Sequence, residues 1–171
     1  MQPHAVRADD RGHPNSGESG DDLLDALMTA SRALLAVSAR SLAAVDEDVT
    51  LPQYRALVVL GQHGPRRPVD LAAALSVTPP TATRMCDRLA GKSLVVRDRS
   101  EEDRRAVSVS LSSAGHELVS EVTARRRAEL HVVLDQMPSK DRAAVVHGLR
   151  RFAEAAGELP DKDWSTTPVG L

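Results

Sequence analysis

Residues 69–89 read Val69-Asp70-Leu71-Ala72-Ala73-Ala74-Leu75, then Ser76-Val77-Thr78, then Pro79-Pro80-Thr81-Ala82-Thr83-Arg84-Met85-Cys86-Asp87-Arg88-Leu89. The pattern predicts a short helix, a tight turn and a second helix. In the second helix Ala82, Met85, Cys86 and Leu89 recur at helical spacing and form a core-facing stripe. Pro79 suits the first helical position, where no N–H is needed. Thr78 is expected to cap the helix by accepting a backbone N–H from its first turn. Thr81, Arg84 and Arg88 fall on the opposite face, with Pro80 and Thr83 beside them. Short threonines let a helix approach base edges, and arginine pairs with guanine or phosphate. Taken alone, the same face reads equally well as ordinary solvated surface.

Working outward, the next segment tips that balance. In the next strand Val95, Arg97 and Arg99 alternate with Leu94, Val96 and Asp98, and then Val107, Val109 and Leu111 alternate with Ser108 and Ser110, each with the period of a half-buried ribbon. Between them lies the polar tip Ser100-Glu101-Glu102-Asp103-Arg104-Arg105. Asp103 and Arg105 are placed to pair and fix the loop, leaving Arg104 pointing outward; the alternative is a plain charged turn. A helix pair followed at once by a basic hairpin is the layout of a winged helix-turn-helix, with one helix for the major groove and a hairpin for the flanking backbone.

These residues carry a family resemblance. Asp103, Arg105, Val109, Leu111, Ser112 and Gly115 resemble the wing signature of the MarR (multiple-antibiotic-resistance regulator) family, with Ser112 in place of its usual Thr. Leu51-Pro52-Gln53-Tyr54, Asp70-Leu71-Ala72, Thr81-Ala82-Thr83-Arg84 and Asp87-Arg88-Leu89 extend the likeness to about residues 21–157. One position departs: the family usually has Gly just before the wing, and here it is Ser93. A Gly there suits a left-handed helix stop.

The bulk properties are compatible. The chain of 171 residues is long enough for one domain with a sizeable core. Its net charge is −2, yet residues 66–105 hold nine Lys/Arg against six Asp/Glu, a modest basic segment suited to phosphate. Residues 1–20 and 158–171 read as loose tails flanking a domain at 21–157. No signal peptide or membrane-spanning stretch is visible, and one cysteine excludes an internal disulfide framework, so a cytoplasmic protein is expected.

Three further long helices surround the reading head at about 51–111. The first is expected at about 21–46, with Leu23, Leu24, Leu27, Leu34, Leu35, Leu42 and Val45 on one side. The others cover about 112–157, broken at Pro138, and the last is striped by Val145, Val146, Leu149, Phe152, Ala153 and Ala156. A helix between the first and the reading pair opens with Thr50-Leu51-Pro52-Gln53, a capping box. Such long helices either pack within the monomer or against a second copy. The resemblance favours a homodimer joined through both chain ends, matching a pseudo-palindromic operator.

No phosphate loop, nucleophile elbow or zinc helix is present, so the chain is not expected to be an enzyme. The six histidines, at 4, 13, 63, 116, 131 and 147, have no metal-ligand spacing, and neither a metal nor a cofactor is expected. Cys86 lies on the buried stripe and reads as a packed thiol. The resemblance implies a double-stranded DNA-binding regulator, a repressor released by a small aromatic or amphipathic ligand bound where the dimerisation helices meet the reading head. Arg40, Tyr54 and His63 are the candidate ligand contacts, though Tyr54 also reads as a core residue. A ligand-independent regulator or activator, or a helical ligand-binding or interaction module, are the alternatives.

Overall fold

The computed structural model describes residues 16–99 and 107–158. Eight elements follow in order: α1 (Ser16–Ala43), α2 (Leu51–His63), α3 (Pro68–Ala74), α4 (Pro79–Gly91), β1 (Val95–Arg99), β2 (Val107–Leu111), α5 (Ser113–Asp135) and α6 (Ser139–Ala155). The fold is mainly helical, with one two-stranded antiparallel hairpin. The chain divides into two units, residues 1–36 and 37–171.

In the first unit the described residues are helical. The helix begins at Ser16, inside the stretch expected to be a tail, and Leu23, Leu24, Met28, Leu34 and Leu35 are all exposed. The rest of that tail, residues 1–15, lies outside the described residues, as does the expected tail from 159 onward.

The second unit is built around α2. Leu57, Val58, Val59 and Leu60 follow one another, so the helix is apolar all round and is buried on nearly every side. Its start is the expected capping box: Thr50 Oγ1 accepts from the Gln53 amide, and Gln53 Oε1 accepts from the Thr50 amide at 2.9 Å. Leu57, Leu71, Leu89, Val109 and Val122, from α2, α3, α4, β2 and α5, are fully buried. Burying each contributes about 1.5–3 kcal/mol over leaving it in water. Among the described residues of α1 only Val37, Ser41 and Leu42 are buried, and most of the predicted apolar stripe is exposed. On α6 no residue is buried, and Val146, Leu149 and Phe152 are about half exposed.

Three helices of this unit end in the same way. After α3, α4 and α6 the chain passes through a left-handed residue, Ser76, Ser93 and Gly157 respectively. At each, the next amide reaches back into the helix: Val77 to Ala72 O, Leu94 to Leu89 O and Glu158 to Ala153 O, each at 3.0 Å. This is the Schellman stop, usually made with Gly. Ser93, the one departure from the wing pattern, therefore adopts the conformation that favours Gly, with φ 59°.

Candidate nucleic-acid interface

The reading helix α4 is positioned by its buried face. Ala82, Met85, Cys86 and Leu89 are packed into the core as expected, and Pro80, Thr83, Arg84 and Arg88 are exposed, with Thr81 half-buried. Burial pushes the Cys86 thiol up from its ordinary range, as suits a packed, protonated cysteine. The expected cap is absent. Thr78 makes no side-chain bond to a backbone amide, and its hydroxyl instead meets that of Thr81 at 2.9 Å. The reason is local: of the two amides a cap serves, Pro80 lacks one, and that of Thr81 donates to Thr78 O at 2.9 Å. Thr83 Oγ1 donates to Pro79 O at 3.0 Å, committing its proton to the helix and leaving its lone pairs outward-available. Among the described residues Arg84 and Arg88 have no carboxylate partner, and with Thr50, Gln53 and Thr81 they line a shallow notch of about 300 Å³. Two uncommitted guanidiniums beside small hydroxyl side chains can meet phosphate oxygens or base edges.

Three interactions hold the hairpin in place, one of them to this helix. β1 and β2 pair in register, Val95 opposite Leu111 and Arg97 opposite Val109. Arg97 on β1 donates to the Asp87 carboxylate on α4. Arg66, in the α2–α3 connection, adds a bridge on the outer side of β2: its amide donates to Val109 O at 2.9 Å and its carbonyl accepts from the Val109 amide at 2.8 Å. The period-2 pattern predicts the strands but not the Arg66 bridge, because a single paired residue leaves no periodicity. The base of the hairpin then feeds directly into α5. Ser112 Oγ accepts from the Gly115 amide at 3.0 Å, capping α5, and donates to Ser93 O at 2.6 Å. The Ser in place of Thr thus keeps the hydroxyl that the junction uses. The wing tip, with Asp103, Arg104 and Arg105, lies outside the described residues.

At the start of α3, Arg67 grips Asp70 with two bonds, at 2.8 and 3.0 Å. That contact holds the Asp70 carboxyl below its usual range and raises Arg67. It fixes the entry to the helix pair.

A second feature lies between α1, α2 and α5 in the same unit: a cavity of about 510 Å³ whose lining includes Tyr54, Arg55, Gln62, Thr123, Arg126 and Glu158. Of the three candidate ligand contacts, the structure brings only Tyr54 to this cavity. Tyr54 is buried, with its hydroxyl 3.5 Å from Thr123 Oγ1. Arg40 is not a lining residue, because both its Nε and Nη2 donate to Glu129 Oε2, at 3.1 and 2.9 Å. His63 is exposed in the last turn of α2, away from the lining. The arginine that does reach the cavity from α2 is Arg55, which follows Tyr54 and gives no apolar-face signal in the sequence. Among the described residues no group of three or more His, Cys, Asp or Glu could hold a metal ion, and no helix is long and apolar enough to cross a membrane.

Comparison with known proteins agrees with this architecture. Residues 49–107 match the MarR family. The HTH-type transcriptional regulator YhbI of Bacillus subtilis is 31% identical over 137 residues, covering 77% of this chain and 89% of the relative. The multiple antibiotic resistance protein MarR of Salmonella typhimurium is 31% identical over 102 residues, 60% of this chain and 71% of that protein. The crystal structure of RV1404 from Mycobacterium tuberculosis superposes with a TM-score of 0.79 at 43% identity, covering 84% of this chain and 97% of that one. With its winged helix-turn-helix and these relatives, the chain belongs to the MarR family of DNA-binding transcriptional regulators and is not an enzyme.

Proposed function

We propose that this chain is a homodimeric repressor of a pseudo-palindromic DNA operator, released by a small aromatic or amphipathic ligand. The observation that supports it best is the two-faced α4. One face is locked by Ala82, Met85, Cys86 and Leu89, and the other offers Arg84 and Arg88 with no carboxylate partner among the described residues. In this reading Thr81 and Arg84 contact base edges, with Pro80, Thr83 and Arg88 against the adjacent backbone. Arg104 reaches phosphate or the minor groove from the wing, and Asp103 with Arg105 stabilises the loop that carries it.

Dimerisation is supported by what each unit leaves uncovered. Leu23, Leu24, Met28 and Leu35 in the first, and Val132, Val133, Val146, Leu149 and Phe152 in the second, are about half exposed or more. Apolar stripes of that kind are normally covered by a partner. Residues 21–46 and 112–157 then serve as dimerisation segments around a reading head at 51–111, and the two reading helices stand about 34–36 Å apart, one DNA turn. The ligand site in this reading is the α1–α2–α5 cavity, with Tyr54 and Arg55 as contacts. An effector there acts by binding the DNA-competent and released states unequally.

Light scattering together with operator binding tests this. A dimer that binds a palindrome with one dimer per site is expected; a stable monomer would refute both the dimer and the palindrome. A ligand-independent regulator is the second reading, favoured by the half-exposed ion pair that already occupies the cavity.

A further inference from the structure

Among the described residues the lining of the α1–α2–α5 cavity includes three guanidiniums, Arg55, Arg126 and Arg127, and one carboxylate, Glu158. Glu158 is bonded to Arg55 through both carboxylate oxygens, Oε2 to Nη1 at 3.2 Å and Oε1 to Nη2. This two-oxygen grip is how arginine holds a free organic carboxylate. The carboxylate arrives there through the end of α6. Gly157, at φ 72°, takes the left-handed conformation that only Gly adopts freely, and the Glu158 amide is pinned to Ala153 O at 3.0 Å. The backbone that presents Glu158 is thus fixed independently of Arg55.

We infer that Glu158 is a tethered internal occupant of an anion site at Arg55, and that a carboxylate-bearing effector enters the cavity by displacing it. The inference rests on the effector cavity proposed above. Its chemistry is a competition between two carboxylates for one guanidinium. Both partners are nearly half exposed, at 44% and 42%, so the internal pair is weak and replaceable. A short tether nonetheless presents its group at an effective concentration on the order of millimolar, so stray carboxylates at lower levels are held out. The selected ligand is then a small organic acid whose apolar body gains contacts that Glu158 lacks, against Leu51, Val58 and Leu130 in the same lining.

The test is calorimetric titration of the full chain with benzoate, and with benzamide as its uncharged counterpart. Glu158→Gln is expected to bind benzoate about two- to fivefold more tightly than the unaltered protein, since removing a weak competitor raises the fraction of open site. Glu158→Lys is expected to bind at least as tightly, and Arg55→Ala to bind at least fivefold more weakly. Combining Glu158→Gln with Arg55→Ala should erase the gain, because the competitor acts only through Arg55. Benzamide should not distinguish Glu158→Gln from the unaltered protein. Equal benzoate affinity with and without Glu158, a gain that persists when Arg55 is absent, or a parallel gain for benzamide would each overturn the inference while leaving the cavity as the effector site. Absence of benzoate binding in every variant would overturn both.

Discussion

A Cβ placed on Gly115 would stand 2.1 Å from the carbonyl oxygen of Leu94. The first turn of α5 is therefore laid directly on the backbone that leaves α4 and enters β1. The same junction carries the Ser112 hydroxyl bond to Ser93 O and the Ser112 amide bond to Leu94 O at 3.1 Å. Reading helix, wing and α5 meet at one crowded point, which explains why the wing signature ends in Gly.

Gly115→Ala cannot be absorbed by rotating a side chain, since the obstacle is backbone. We expect a loss of about 1–3 kcal/mol in folding stability. A chemical denaturation curve would show it as a lower midpoint with an unchanged slope. A midpoint equal to that of the unaltered protein would mean that the α5–β1 approach is looser than described.

Ser93→Gly is expected to stabilise. Ser93 holds φ 59°, where a side chain costs energy that Gly avoids. The relief outweighs the extra backbone entropy of Gly by about 0.5–1 kcal/mol, visible as a rise in Tm of about 1–4 °C. Ser93→Ala should show no such rise.

The Arg97–Asp87 pair ties β1 to α4, with side chains 36% and 53% exposed. Such a pair contributes at most about 1 kcal/mol to stability. Its larger effect should appear in DNA binding, because it sets the angle between wing and reading helix. Arg97→Ala and Asp87→Asn are expected to weaken operator affinity by similar factors, and the double variant by little more than either alone. Strictly additive losses would show that the two residues act separately.

Glu129 supplies a pH dependence. The Ser41 hydroxyl, at 2.9 Å, and then the Arg40 guanidinium hold its carboxyl below the ordinary value of 4.5. A carboxyl lowered in the folded state contributes stability that is complete above 4.5 and is lost as pH falls below it through the folded value. Melting temperature should fall more steeply below that pH in the unaltered protein than in Glu129→Gln. Parallel falls would remove Glu129 from the acid response. Because Ser41 is fully buried, Glu129→Ala should cost more than Glu129→Gln even at neutral pH, as it leaves that hydroxyl without its partner.

Much of this was legible in the residues. The α4 stripe, the two strands and the Thr50–Gln53 capping box follow from local spacing and are found where it puts them, and the Ser112–Gly115 end of the wing follows from the family resemblance. What local spacing misses is what depends on distant partners. The Thr78 cap is missing because Pro80 has no amide and that of Thr81 donates to Thr78 O. Arg66 joined the sheet through one residue, and Arg40 was taken up by Glu129, which lies 89 positions away. The exposed stripe of α1 looks like core in sequence because apolar periodicity reports a buried face without saying which chain buries it. Arg55 carried no pattern at all; its role is visible only once Glu158 is folded against it.

The most direct test of the account is an equilibrium titration of a palindromic operator, and of variants altered one base pair at a time, with the unaltered protein and Arg84→Ala. The account predicts that Arg84→Ala loses about 1–3 kcal/mol on the operator and becomes indifferent to one base pair in each half-site, with its ordinary preferences kept elsewhere. Unchanged affinity and an unchanged base preference would show that α4 does not present this face to DNA, and would contradict the account at its centre.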